Sequence, residues 1–93
     1  MKIVSFKCVH TRYLFLQGKT RLWPSIKSVA ERKLAMLDAA TSILDLRSPP
    51  GNRLEVLDGS RSGQYSVRVN AQFRICFVWS INGPEDVEIV DYH

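Results

Sequence analysis

The stretch Gln64-Tyr65-Ser66-Val67-Arg68-Val69-Asn70-Ala71-Gln72-Phe73-Arg74-Ile75-Cys76-Phe77-Val78-Trp79 alternates on both sides of a short polar connection. Period-two patterning marks a half-buried strand, because successive side chains point to opposite faces of a sheet. Tyr65, Val67 and Val69 fall on one face, with Ser66 and Arg68 on the other. In the second run Phe73, Ile75, Phe77 and Trp79 alternate with Arg74, Cys76 and Val78. A turn at Asn70-Ala71-Gln72 places Val69 opposite Phe73 and Arg68 opposite Arg74 in an antiparallel hairpin.

The pattern extends outward from this hairpin. Downstream, Asn82-Gly83-Pro84 makes a turn and Asp86–Tyr92 a last strand. Upstream, Arg53–Leu57 reads as a strand that ends in the run from Asp58 to Gly63. Before Ser48-Pro49-Pro50-Gly51-Asn52 the period changes to that of a helix. Ile26, Ala30, Leu34, Leu37 and Leu44 form one apolar stripe behind a start at Pro24 or Ser25, and the prolines stop it. A shorter helix carries Val9, Tyr13 and Leu16 at helical spacing and ends at Gly18. Lys2–Phe6 roughly alternates and reads as a first strand. The order β-α-α-β-β-β-β predicts an α+β fold, with two N-terminal helices on one face of a curved, mostly antiparallel sheet.

With 93 residues, 45% of them hydrophobic, the chain is sized for one domain spanning 1–93, with no room for a second core. Its apolar runs, Tyr13–Leu16 and Ile75–Trp79, are far shorter than the roughly 20 residues of a membrane helix. No secretory signal is evident in Met1–His10, and the expected location is cytoplasmic. Up to Leu34 there are eight Lys/Arg against one acid, and thereafter five Arg against eight acids. That asymmetry suits a polyanionic partner such as nucleic acid, or simply a solvated basic face. Cys8 and Cys76 form no disulfide framework and are expected to be reduced and buried.

Phosphate-loop, dinucleotide, zincin and hydrolase motifs are absent. A zinc site would need Cys8, His10, Cys76 and His93 to converge, so neither metal nor cofactor is expected. The paired arginines offer more. Cross-strand neighbours lie about 4.5–5.5 Å apart, so Arg68 and Arg74 would repel each other unless an anion lies between them. That anion is either a ligand phosphate or carboxylate, or a structural partner among Glu55, Glu88 and Asp91. Arg53 and Arg61 flank the neighbouring strand. Asp91-Tyr92-His93 adds a carboxylate, a phenol and an imidazole. Together these are the parts of RNA backbone cleavage: a base for the 2′-hydroxyl, a cation for the phosphorane and an acid for the 5′-oxygen.

At these residues the chain resembles the HigB/GraT-type branch of the RelE-like toxins. The resemblance is carried by Pro49-Pro50-Gly51-Asn52-Arg53-Leu54-Glu55, by Gly59 and Arg61, and by the Gly63–Asn70 strand. Phe73-Arg74-Ile75-Cys76-Phe77 and Val87-Glu88-Ile89-Val90-Asp91-Tyr92-His93 complete it. It also covers Phe6, Lys19-Thr20-Arg21 and the helix from Ile26 to Ala40.

The resemblance implies a toxin that cleaves mRNA in the ribosomal A site without a metal. It also implies a helix-turn-helix antitoxin encoded beside the toxin, through which alone operator DNA would be contacted. Under it, Arg74 is the phosphate-contacting cation, and Asp91, Tyr92 and His93 are the catalytic cluster. Glu55 is a candidate base, and Arg68, Arg61 and Arg53 face RNA. Two departures stand out. Near Arg53–Leu57 some members carry a histidine and this chain offers Glu55. Where many carry a lysine, this chain has Asp58. A non-catalytic binding module, acting with its antitoxin in repression, is the rival reading.

Overall fold

The structure is a computed structural model and describes residues 1–92. Helix α1 (Val9–Gln17) is followed by a 3₁₀ turn at Pro24–Ile26 and helix α2 (Lys27–Ala39). Strands β1 (Glu55–Val56), β2 (Tyr65–Arg68), β3 (Phe73–Ser80) and β4 (Gly83–Asp91) form one antiparallel sheet in the order β1-β2-β3-β4. The expected α+β architecture is present. Val67, Ile75, Phe77, Val87 and Ile89 pack against Leu14, Ile26, Ala30, Leu34 and Leu37, so both helices cover the same sheet face. No helix among the described residues is long and apolar enough to cross a membrane.

The hairpin register is the one the alternation predicts: Arg68 pairs with Arg74, and the Val69 amide donates to the Phe73 carbonyl at 2.9 Å. Asn70 holds the turn, its side-chain oxygen accepting from the Gln72 and Phe73 amides. On the other side of β3, Cys76 pairs with Glu88 but Val78 with Glu85, so Asp86 and Val87 together stand against Phe77. This is a β-bulge, and Asp86 takes a left-handed conformation in it (φ 52°).

The bulge also corrects the expected first strand. The segment before α1 runs parallel to β4, with Val4 N–H donating to the Pro84 carbonyl and Lys7 N–H to the Val87 carbonyl. It forms only one bridge, Phe6 to Val87, among the described residues. The Asp86 amide turns instead to the Ser5 hydroxyl, which interrupts the ladder.

Both helices differ in detail from the apolar pattern. Helix α1 ends at Gly18 in the left-handed conformation as expected, but it buries Thr11 and Leu14. Val9, Tyr13 and Leu16 lie on its outer side, 69%, 48% and 52% exposed. Helix α2 stops at Ala39, short of the expected Leu44. Ser42 and Asp45 form a capping box for a new 3₁₀ turn (Ile43–Arg47), and Asp45 also accepts from the Thr41 amide and hydroxyl. Short polar side chains offer the backbone alternatives to helical bonding, which is why the helix yields here. Leu44 is therefore 61% exposed, and Leu46 takes the buried place. The expected Arg53–Leu57 strand shortens to Glu55–Val56, because Arg53 is left-handed (φ 44°) after the 3₁₀ turn Pro50–Asn52.

Asn52 ties this loop to α2. Its amide nitrogen donates to the Leu46 and Ser48 carbonyls, and its oxygen accepts from Lys33 Nζ. Lys33 is itself buried, and burial together with nearby Arg32 lowers its pKa. Asn52→Ala should destabilise the chain by about 1–3 kcal/mol, since it leaves a buried ammonium and two carbonyls unpaired. Urea denaturation followed by circular dichroism measures this.

Candidate functional site

The sheet face opposite the helices is built in rows by the strand register. One row runs Glu55, Ser66, Cys76, Glu88 across β1 to β4, and the next runs Arg68, Arg74, Val90. Arg74 lies where these rows meet, in the middle of the sheet, and is only 7% exposed. Its Nε donates to Ser66 Oγ at 2.7 Å and its Nη2 to the Arg53 carbonyl at 2.6 Å. Nη2 also stands 3.8 Å from a Glu55 carboxylate oxygen. Nη1 makes no hydrogen bond among the described residues. The guanidinium is thus held along two of its nitrogens, with one directed edge remaining.

The Tyr92 ring covers this group, its centroid 5.6 Å from the guanidinium carbon. The Tyr92 amide donates to the Gln72 carbonyl, which fastens the end of β4 to the β2–β3 turn. Alternation divides the terminal cluster. Asp91 pairs with Phe73, a residue packed against the core, and so belongs to the other sheet face. Its carboxylate accepts from Gln72 Nε2 at 2.9 Å. Tyr92 follows Val90 onto the Arg74 face. His93 lies outside the described residues.

The remaining arginines are treated differently. Arg61 donates to Glu88 at 3.1 Å and to Gln64, and the bond to Glu88 raises its pKa. Lys7 approaches the same carboxylate at 3.8 Å, so Glu88 neutralises the flank of the site. Carboxylate partners for the arginines are therefore present in part: Glu88 serves Arg61 and Glu55 stands by Arg74. Arg68, half-buried, is the cross-strand neighbour of Arg74 and has no ion pair among the described residues. Arg53 engages Arg74 through its backbone carbonyl, while its residue as a whole is exposed. Asp58 is exposed at the start of the 3₁₀ turn Gly59–Arg61.

The sequence matches a known family. Residues 5–93 fit the model of HigB-like toxins, described as the RelE-like toxin of the type II toxin–antitoxin system HigB. The chain belongs to this family. It is 53% identical over 60 residues to Toxin HigB-1 of Vibrio cholerae serotype O1, a match covering 63% of each chain. The chain thus spans less than two thirds of that curated relative. It is also 37% identical over 70 residues to an uncharacterized protein of Haemophilus influenzae, covering 75% of this chain and 69% of that one.

In this member of the HigB-like family two elements of the site carry no motif in the sequence: the Ser66 hydroxyl and the Arg53 carbonyl. Alternation already put Ser66 on the arginine face, so its position was legible even though its bond was not. The carbonyl gave no signal, because it depends on a left-handed residue after a loop. Cys76 sits under the rows fully buried, and burial raises its thiol pKa. Cys8 is half-buried. Among the described residues no three of His, Cys, Asp or Glu gather to hold a metal ion. A folded sample at pH 8 should therefore show Cys76 resisting iodoacetamide while Cys8 alkylates faster, read by mass spectrometry of the digested protein.

Proposed function

We propose that this chain is the toxin of a type II pair and acts as a ribosome-dependent mRNA endoribonuclease, neutralised by a helix-turn-helix antitoxin. The observation that carries the reading is Arg74, fixed by Ser66 and the Arg53 carbonyl under the ring of Tyr92. A cation held in place before the reaction stabilises developing charge without having to reorganise. In our reading Arg74 Nη1 meets a non-bridging oxygen of the scissile phosphate, and Arg68 adds charge beside it. A base, Glu55 or His93, takes the proton of the 2′-hydroxyl, whose oxygen attacks phosphorus. The 5′-oxygen leaves and is protonated by His93, leaving a 2′,3′-cyclic phosphate. Tyr92 acts as an orienting group over Arg74, and Asp91, on the other sheet face, acts only by anchoring the strand end through Gln72. The nucleophile is internal to RNA, so the reading calls for no metal.

Dependence on the ribosome follows from size and charge. One arginine cluster on a small sheet holds free RNA weakly and loses it steeply with salt. The rival, a binding module without cleavage, draws support from the same arginine: two of its nitrogens are committed to the protein's own groups.

Primer extension on translated mRNA separates the two. The wild-type chain should cut mRNA on ribosomes and leave naked RNA intact at physiological salt. Arg74→Ala should lower cleavage by about 10²–10³-fold, and His93→Ala by about 10²-fold with a near-native melting temperature. Absence of wild-type cleavage would favour the binding module.

Asp58 supplies a further check. If it faces the RNA path, Asp58→Lys changes local charge by two units and should raise cleavage without loss of folding. Unchanged or reduced cleavage, measured in the same assay, would place Asp58 away from that path.

A further inference from the structure

Helix α1 is apolar on both sides. Leu14 and Thr11 face the core, and the Thr11 hydroxyl accepts from the Ile89 amide of β4. Val9, Tyr13 and Leu16, spaced four and three residues apart, form a second apolar stripe on the outer side. A helix with apolar residues on two sides normally has both of them covered. Here one side is bare.

The charge left unpaired around the stripe is basic. From Met1 to Ala30 the sequence has six Lys/Arg and no Asp or Glu. Lys2, Lys7 and Lys27 are paired with Asp38, Glu88 and Glu31. Arg12, on the stripe itself, and Lys19 and Arg21, just past the helix, form no ion pair among the described residues. A second copy seated symmetrically on the stripe would set Arg12 against its own counterpart. What fits is an amphipathic segment with apolar side chains flanked by carboxylates.

We propose that the outer stripe of α1 is the docking surface for an acidic amphipathic segment of the paired antitoxin. This rests on the toxin–antitoxin reading above. Tyr13 is the anchor: a large ring with a polar tip, central in the stripe, of the type that dominates interface energetics. Arg12 sets charge complementarity. The surface lies on the side of α1 away from the sheet, so it is separate from the Arg74 face.

The test titrates the purified product of the reading frame next to this chain's gene into the full-length chain, by calorimetry at two salt concentrations. Wild type should bind, more weakly at high salt. Tyr13→Glu and Leu16→Glu should each lower affinity tenfold or more. Arg12→Glu should lower it several-fold and flatten the salt dependence. Ile81→Glu, at an exposed apolar residue of the β3–β4 turn, should leave affinity unchanged. Thermal melts verify folding, and if a stripe variant does not fold, the solvent-facing Arg12→Glu decides.

Binding by wild type that all α1 variants retain would overturn the surface and leave the toxin–antitoxin reading intact. No binding by wild type would overturn that reading and the surface with it. A wild-type dimer in sedimentation that Tyr13→Glu dissociates would assign the stripe to a second copy and overturn the proposal.

Discussion

Arg74 is the group on which the candidate functional face depends. Placing a guanidinium at 7% exposure in mid-sheet is costly unless its donors are met. Here Ser66 supplies a hydroxyl from β2 and Arg53 supplies a carbonyl from the loop. The loop in turn relies on Asn52, whose side chain ties it to Lys33 of α2 and to the Leu46 and Ser48 carbonyls. A chain of hydrogen bonds therefore links the helical layer, around the edge of the sheet, to the cation on its far side. The same loop positions Glu55, so charge and countercharge are set by one backbone path.

The sheet keeps the core and the proposed site on opposite faces. The residues facing the helices, Val67, Ile75, Phe77, Val87 and Ile89, supply the core. Their alternate neighbours Ser66, Arg68, Arg74, Cys76 and Glu88 supply the other face. One strand thus presents both, and the strict period of two prevents either set from drifting to the wrong side. Cys76 illustrates the division: it belongs to the Arg74 face by register, yet complete burial makes its thiol a packing group.

Family membership and geometry answer different questions. The match over residues 5–93 assigns the chain to the HigB-like toxins. The geometry says how this chain's own charged groups are arranged. Two of its arginines meet carboxylates: Glu88 is taken by Arg61 and Lys7, and Glu55 stands by Arg74. Asp58 lies exposed beside them in sequence.

Much of this molecule was legible in its sequence. The Arg68–Arg74 register, the Ser66 and Arg74 face, the Gly18 helix end and the layering all follow from periodicity and turn chemistry, which are local rules. The departures arose where local preferences compete or distant segments meet. Val9, Tyr13 and Leu16 have helical spacing, but so do Thr11 and Leu14. Only packing against β4, where the Ile89 amide needs an acceptor, decided which side turned inward. Leu44 continued an apolar stripe, but the Ser42–Asp45 box cut the helix and gave its place to Leu46. The Arg53 carbonyl became a site group through a left-handed turn, and the bulge at Asp86 and Val87 ended the first strand's ladder. Sequence determined the faces, because side-chain direction repeats with the backbone. Tertiary structure decided which groups meet across them, because a hydrogen bond between distant residues exists only once the layers have packed.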